Sequence, residues 1–238
     1  MLFEAAPSPL LRTARGDDYP VRRVFCIGRN YAAHAREMGR DPDREPPFFF
    51  TKWADTVVNA DPADKCSIAY PPETSSFHFE VELVVAMGGR VFQANATEAE
   101  RAIWGYAVGL DMTRRDLQLA AREAGRPWDT GKNVDQSSPT GRLVGKTAAQ
   151  ASGFRPDAGR IRLSVDDAVK QDADLSELIW SVPELISHIS RFYPLYAGDL
   201  IYTGTPAGVG AVLPGDRLTG EIAGLPPLAV AIAPPLTP

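Results

Sequence analysis

The chain has 238 residues, 44% hydrophobic and 23% charged, and its 25 Lys and Arg against 30 Asp and Glu leave a net charge of -5. That length gives one large globular domain with a substantial core, and the acidic balance argues against a nucleic-acid or anionic-membrane surface, leaving small molecules as partners. Cys26 and Cys66 form no CxxC pair and read as small buried hydrophobes, and with no apolar run near ~20 residues and no leader pattern the expectation is a soluble, cytoplasmic protein.

Residues 1–18 are rich in Pro, Ala and Arg without periodicity, so they are expected to form an N-terminal tail, with a single domain over 19–238. Val21, Val24, Phe25 and Ile27 make a strand-like run ending at Gly28, and Asn30 then predicts a cap for a helix that starts at Tyr31 and stops at Gly39. On that helix His34 and Glu37 stand three apart and are surface neighbours. A charged, proline-bearing loop leads to Phe48-Phe49-Phe50-Thr51-Lys52, where Lys52 either snorkels to solvent or projects into a site for an anionic substrate. Residues 54–64 read as strand and turn. Residues 77–85 read as a strand with Glu80 and Glu82 on one face and Phe79, Val81 and Leu83 on the other. Two like charges side by side mean either a solvated face or a bound cation.

Thr97 with Glu100 has capping-box spacing for a short helix, and residues 103–110 form an apolar strand stopping at Asp111. That carboxylate suits either site chemistry or the opening of the next helix, over 113–124 and closed by Gly125, which carries Gln118. A polar loop then holds Lys132. Residues 160–165 alternate as a strand that Asp166-Asp167 turns into a hairpin. Ser181 with Glu184, and Pro183 in the first turn, open an amphipathic helix marked by Leu185, Ile186, Ile189 and Phe192. His188 on its flank reads as a surface or satisfied histidine. Beyond Ala197, short strands alternate with glycine turns in a curled β-structure. There Gly204-Thr205-Pro206-Ala207-Gly208-Val209-Gly210 reads as tight turns or as pocket lining through its amides and the Thr205 hydroxyl.

No nucleophile elbow, Walker loop or Gly-x-Gly-x-x-Gly is present, and His78-x-Glu80 lacks the Pro-Cys-x-x-Cys half of a zinc-deaminase signature. What remains is three carboxylates, Glu80, Glu82 and Asp111, with one His-x-x-Glu pair. Oxygen-only ligands select hard cations, so Mg2+ is expected, with Mn2+ or Ca2+ as alternatives and zinc disfavoured.

Five ordered blocks carry a resemblance: Arg29-Asn30-Tyr31-Ala32-Ala33-His34, Phe79-Glu80-Val81-Glu82, Gly109-Leu110-Asp111-Met112-Thr113-Arg114-Arg115-Asp116, Ile179-Trp180-Ser181-Val182-Pro183-Glu184-Leu185, and Thr203 through Gly210. From about Val21 to the C-terminus the chain resembles the fumarylacetoacetate hydrolase family. The resemblance implies an α+β, mainly β fold, a mixed β-sandwich roll with a few short helices. It also implies a homodimer and Mg2+ on Glu80, Glu82 and Asp111. By the same resemblance His34 is the base that activates water, Glu37 orients it, and Gln118, Lys132 and Thr205 contact substrate, with Gln118 or Lys132 stabilising the oxyanion. Residues 24–52 most resemble members that act in gentisate breakdown. The implied reaction is therefore hydrolytic C–C cleavage of a 2,4-diketo acid, fumarylpyruvate to fumarate and pyruvate, with Arg29, Lys52 or Arg114 holding the distal carboxylate. Trp53 departs from the many relatives that have proline after the matching lysine. The same centre also suits acylpyruvate hydrolysis, oxaloacetate decarboxylation, or isomerisation or decarboxylation of a homoprotocatechuate-pathway keto acid. A noncatalytic β-rich binding protein with a structural ion is the distant alternative.

Overall fold

The structure is a computed structural model that describes residues 7–37 and 45–236, with the side chains of residues 35–37 outside the description. Short β-branched and aromatic runs punctuated by Gly, Pro, Asn and Asp give many brief strands and few helices. In chain order they are β1 (Leu10–Arg12), β2 (Asp18–Pro20), β3 (Arg23–Ile27), α1 (Ala32–Glu37), β4 (Phe49–Lys52), β5 (Val57–Asn59), β6 (Ser67–Ala69), β7 (Phe77–Phe79), β8 (Val81–Met87), α2 (Ala96–Arg101) and β9 (Ile103–Leu110). The chain continues through β10 (Thr113–Arg114), α3 (Arg115–Glu123), α4 (Asp129–Lys132), β11 (Ser138–Thr140), β12 (Val144–Gly145), α5 (Lys146–Ala151), β13 (Arg160–Val165) and β14 (Ala168–Asp174). It closes with α6 (Val182–Ser190), β15 (Asp199–Tyr202), β16 (Gly210–Ala211), β17 (Arg217–Ile222) and β18 (Leu228–Ala233).

A mixed sheet in the order β4-β3-β15-β8-β9-β11-β5, with β12 also on β9, packs against a second sheet in the order β14-β13-β17-β18-β6. Pairings β15 with β3, β11 with β5 and β18 with β6 are parallel and the others antiparallel. Between the sheets lies one apolar core to which Phe25, Leu83, Val85, Val108, Ile161, Leu163, Leu218 and Val230 contribute, joined by Leu185, Ile186 and Ile189 of α6. Val84, Ala86, Ala107, Leu200 and Tyr202 point the other way into a second cluster with Leu11 and Tyr19. The central strand β8 is thus buried on both faces along its whole length, the pattern of a sheet covered on two sides. The result is the mainly β, curled sandwich expected from the sequence.

Several local expectations are met and others are corrected. Asp166 and Asp167 adopt left-handed φ values of 47° and 65° in the β13–β14 turn, as short acidic turn residues can. Ser181, Glu184 and Pro183 open α6 through a capping box, but Phe192 lies beyond the helix and is 58% exposed. The box that opens α2 is Asn95 with Glu98, not Thr97 with Glu100. Leu10–Arg12, within the stretch expected to be a tail, pairs with β2 and buries Leu11 completely. Cys66 is half-buried. Gly39, the expected helix stop, lies outside the described residues.

Asn30 is not a helix cap. Its amide donates to the carbonyls of Trp180 (3.0 Å) and Thr203 (2.9 Å), and its Oδ1 accepts from Trp180 N–H (2.8 Å). This fully buried side chain ties the start of α1 to two segments more than 140 residues away. Asn30→Ala would strand three backbone groups, the Thr203 carbonyl fully buried and the two of Trp180 partly so, at about 1–3 kcal/mol for a buried group and without full additivity. A net loss of about 3 kcal/mol is expected, read as a Tm about 6–12 °C lower for a chain of this size; thermal circular dichroism showing a shift under 2 °C would refute the clamp.

Candidate active site

Three carboxylates meet where two sheets hand over to one another. Glu80 is the one residue between β7, which pairs with β10 and β16, and β8, which enters the large sheet. In the β8–β9 pair Val81 faces Leu110 and Glu82 faces Gly109, and the Asp111 amide donates to the Glu80 carbonyl at 2.9 Å. Antiparallel register therefore brings Asp111, just past the end of β9, beside both glutamates. One oxygen from each carboxylate lies within 4.8 Å of the others, and the residues are 5%, 1% and 1% exposed. The solvated-face reading of Glu80 and Glu82 is excluded.

Charged groups this deeply buried require partners. Lys132 Nζ donates to Glu80 Oε2 (2.8 Å), Asp111 Oδ2 (2.6 Å) and Thr113 Oγ1 (2.7 Å). Arg115 pairs with the other Glu80 oxygen and donates to Gln118 Oε1 at 3.1 Å. Burial pushes the Glu80 carboxyl up, but the Lys132 and Arg115 cations outweigh it and hold the group well below the usual carboxylate range. Lys132, disfavoured as a cation by burial, is raised on balance by Asp111 and Glu80. Glu82 differs. Among the described residues it accepts from a backbone amide, Gly204 N–H at 2.7 Å, and burial, then Asp111 and Glu80, push its carboxyl well above the usual range. Gly204 takes φ +98°, and a Cβ there would come within 2.8 Å of Asn30 Cβ, so the amide is aimed at Glu82 only because residue 204 is glycine. An all-oxygen triad with one member lacking a cation is the donor set of a hard divalent ion, which Glu80, Glu82 and Asp111 would hold together.

A cavity of about 260 Å³ opens onto this cluster. Glu80, Glu82, Lys132, His34 and Thr205 form its polar wall, and Phe48, Phe50 and Trp128 an aromatic one. Trp128 meets both Phe48 and Phe50 with ring centroids 5.6 Å apart, and Lys132 Nζ sits 4.9 Å from the Phe50 ring. Helix α3 presents Arg115, Gln118 and Arg122, spaced three and four apart and therefore on one face. Gly131 lets α4 approach that helix: a Cβ at 131 would lie 2.8 Å from the Gln118 backbone nitrogen.

His34, Arg29, Gln118, Lys132, Thr205, Glu80 and Glu82 thus all border one cavity, with Asp111 in the carboxylate cluster beneath it. The Glu37 side chain lies outside the described residues. Lys52 fits neither sequence expectation. It is buried behind the cluster, donating to Asp111 Oδ1 (2.8 Å), Ser137 O (2.9 Å) and Met112 O (3.2 Å), where it fixes the Asp111 carboxylate and does not face the cavity. Arg114 is also off the cavity, with Nη1 donating to Thr130 O at 3.2 Å, because it belongs to β10 and its neighbour opens the helix. Arg115 and Arg122 were missed, although helical spacing from Gln118 was the available signal. His188 is half-buried against Phe49 and Phe192, with its imidazole pKa lowered by burial and then by Arg191. Trp53 is 59% exposed.

Residues 23–233 match the family described as "Fumarylacetoacetate (FAA) hydrolase C-terminal". The chain is 44% identical over 199 residues to the fumarylpyruvate hydrolase of a Ralstonia species, covering 83% of this chain and 99% of that protein. It is 38% identical over 202 residues to an oxaloacetate tautomerase of Escherichia coli strain K12, covering 85% and 89% of the two. The crystal structure of fumarylpyruvate hydrolase from Pseudomonas aeruginosa in complex with Mn2+ and pyruvate superposes with a TM-score of 0.93 at 50% identity, covering 98% of this chain and 99% of that one.

Proposed function

The chain belongs to the fumarylacetoacetate hydrolase family, and on that premise we propose that it is a metal-dependent hydrolase that cleaves the C–C bond of a 2,4-diketo acid, fumarylpyruvate to fumarate and pyruvate. The observation that carries this reading is the convergence of a buried carboxylate triad and His34 on one cavity, in a chain 50% identical to a protein crystallised with Mn2+ and pyruvate. Glu80, Glu82 and Asp111 would hold the ion, Mg2+ or Mn2+. Such an ion supplies Lewis-acid neutralisation of the charge that develops on the pyruvate-side oxygens.

The chain's own residues do the rest. His34, partnered by Glu37, takes a proton from water, and the hydroxide attacks the distal carbonyl carbon. Gln118 is the better oxyanion donor: Arg115 occupies its Oε1, so the amide N–H2 is directed elsewhere, and it donates to no described residue. All three Lys132 protons are already engaged. The Thr205 hydroxyl donates to Val81 O at 2.8 Å and accepts from Gln171 at 2.8 Å, so it shapes the wall. When the tetrahedral species collapses, the C–C bond breaks, its electron pair passes to the pyruvate fragment, and the proton held by His34 goes to that carbon. Water and one diketo acid give one fumarate and one pyruvate.

The finer reading is a cytoplasmic homodimer acting in gentisate breakdown; among the described residues no helix is long and apolar enough to cross a membrane. A second reading, oxaloacetate tautomerisation or decarboxylation at the same centre, is favoured by the 38% identical tautomerase. The deciding test follows the ultraviolet absorbance of fumarylpyruvate with EDTA and then with Mg2+ restored. Metal-dependent loss with equal fumarate and pyruvate is expected; no loss overturns the hydrolase reading.

Ion binding is expected to register in stability too. At a free Mg2+ concentration 100 times Kd, about 2.7 kcal/mol is gained, or a Tm higher by about 5–10 °C for a chain of this length. The shift should shrink on acidification, because Glu82 must lose its raised proton to bind. Differential scanning fluorimetry with neither Mg2+ nor Mn2+ moving Tm would remove the triad as the ion site.

A further inference from the structure

Among the described residues three guanidinium groups border the cavity, and their commitments differ. Arg115 is bound to Glu80 and Gln118. Arg29 stacks 5.0 Å over the Phe48 ring and lies 3.9 Å from Glu45. The half-buried Arg122 guanidinium has no hydrogen-bond or ion-pair partner among the described residues. A cation that lines a partly desolvated cavity and is paired with none of the carboxylates in its wall can receive one from a ligand, and a guanidinium matches the two oxygens of a carboxylate.

Position adds length to charge. Arg122 stands seven residues along α3 from Arg115, which grips Glu80, so the two side chains leave the helix about 10 Å apart along its axis. That separation is comparable to an extended seven-carbon diacid with one end at the carboxylate cluster. The cavity of about 260 Å³ is small for a ligand site, below the roughly 300–1,000 Å³ usual for drug-sized molecules, and Phe48, Phe50 and Trp128 give it an apolar, aromatic side for the carbon chain of such a ligand.

We infer that Arg122 is the specificity-determining residue that binds the distal carboxylate of an anionic-tailed 2,4-diketo acid and so selects it over a neutral-tailed acylpyruvate. The inference rests on the diketo-acid reading above and displaces Arg114 and Lys52, neither of which faces the cavity.

The test compares kcat/KM for fumarylpyruvate and for 2,4-dioxopentanoate in the Mg2+-loaded protein, for wild type, Arg122→Met and Arg122→Lys. Loss of a charge-assisted carboxylate contact corresponds to about 10- to 100-fold. The ratio of the two kcat/KM values should therefore fall by that factor in Arg122→Met, chiefly through KM, and recover in part in Arg122→Lys. An unchanged ratio, or both substrates falling by the same factor, overturns the assignment. Calorimetric titration of the same loaded proteins with fumarate gives a readout that does not need turnover. Fumarate binding at least 10-fold weaker in Arg122→Met supports the role and equal binding refutes it. Wild type turning over neither substrate would overturn the hydrolase reading while the fumarate titration still decides Arg122. Arg122→Gln replaces Arg122→Met if the latter does not fold.

Discussion

Glu82→Gln is expected to lower kcat/KM by on the order of 10³-fold or more, beyond the roughly 10- to 100-fold typical of residues that only support a metal ligand. It should at the same time make the ion-free protein more stable. The two effects share one cause. Glu82 is 1% exposed, with Gly204 N–H on one oxygen and two further carboxylates close by. Its pKa is raised by burial and by Asp111 and Glu80. A carboxyl shifted in that direction stabilises the fold while it keeps its proton, and that contribution is lost as pH rises from the ordinary glutamate range, about 4.3, through the raised value. Glutamine keeps the shape and an acceptor for Gly204 but carries no charge to lose. At pH 7–8 without divalent ions, the variant should therefore melt above wild type, and Mg2+ should raise Tm for wild type but not for the variant. A variant that keeps the full Mg2+ shift would show that the ion is held elsewhere.

His34→Ala should cost about 10²- to 10⁴-fold in kcat for fumarylpyruvate, the usual contribution of a positioned general base, while the Mg2+-induced rise in Tm persists. The separation follows from geometry: His34 borders the cavity but is not one of the three clustered carboxylates. Water attack needs a base, whereas decarboxylation breaks its bond without water. Near-normal turnover of oxaloacetate by His34→Ala, together with unaltered kcat on fumarylpyruvate, would move the assignment to the second reading.

Strand alternation placed Glu80 and Glu82 together and the end of an apolar strand placed Asp111, so the three carboxylates that cluster were legible from local pattern. The α6 capping box and the Asp166-Asp167 hairpin were legible for the same reason, since their determinants lie within a few residues. Asn30 was misread because the groups it satisfies, at Trp180 and Thr203, are remote in the chain, and a cap and a clamp use the same amide. Lys52 was misread because the sequence shows an ammonium among aromatics but not the carboxylate of Asp111 that makes its burial favourable. Two overlapping patterns, Asn95 with Glu98 and Thr97 with Glu100, each allow a capping box, and side-chain spacing alone does not choose the register. Arg115 rather than Arg114 reaches the site because a strand gives way to a helix between them, a boundary one residue wide.

Glu82 lies on β8, Glu80 just before it and Asp111 just past β9, beside a strand whose every residue is buried, whereas Arg29, Phe48, Phe50, Arg122 and Trp128 across the cavity are only half-buried. Substitution on the first side must be absorbed by a close-packed core, typically at 1 kcal/mol or more, while partly exposed positions usually tolerate change within about 0.5 kcal/mol. A lineage built on this scaffold can therefore trade one substrate for another by drifting along the permissive wall, while the β8–β9 hairpin behind the carboxylates stays held by its packing. New substrate preference is then reachable in single steps that leave the fold undisturbed.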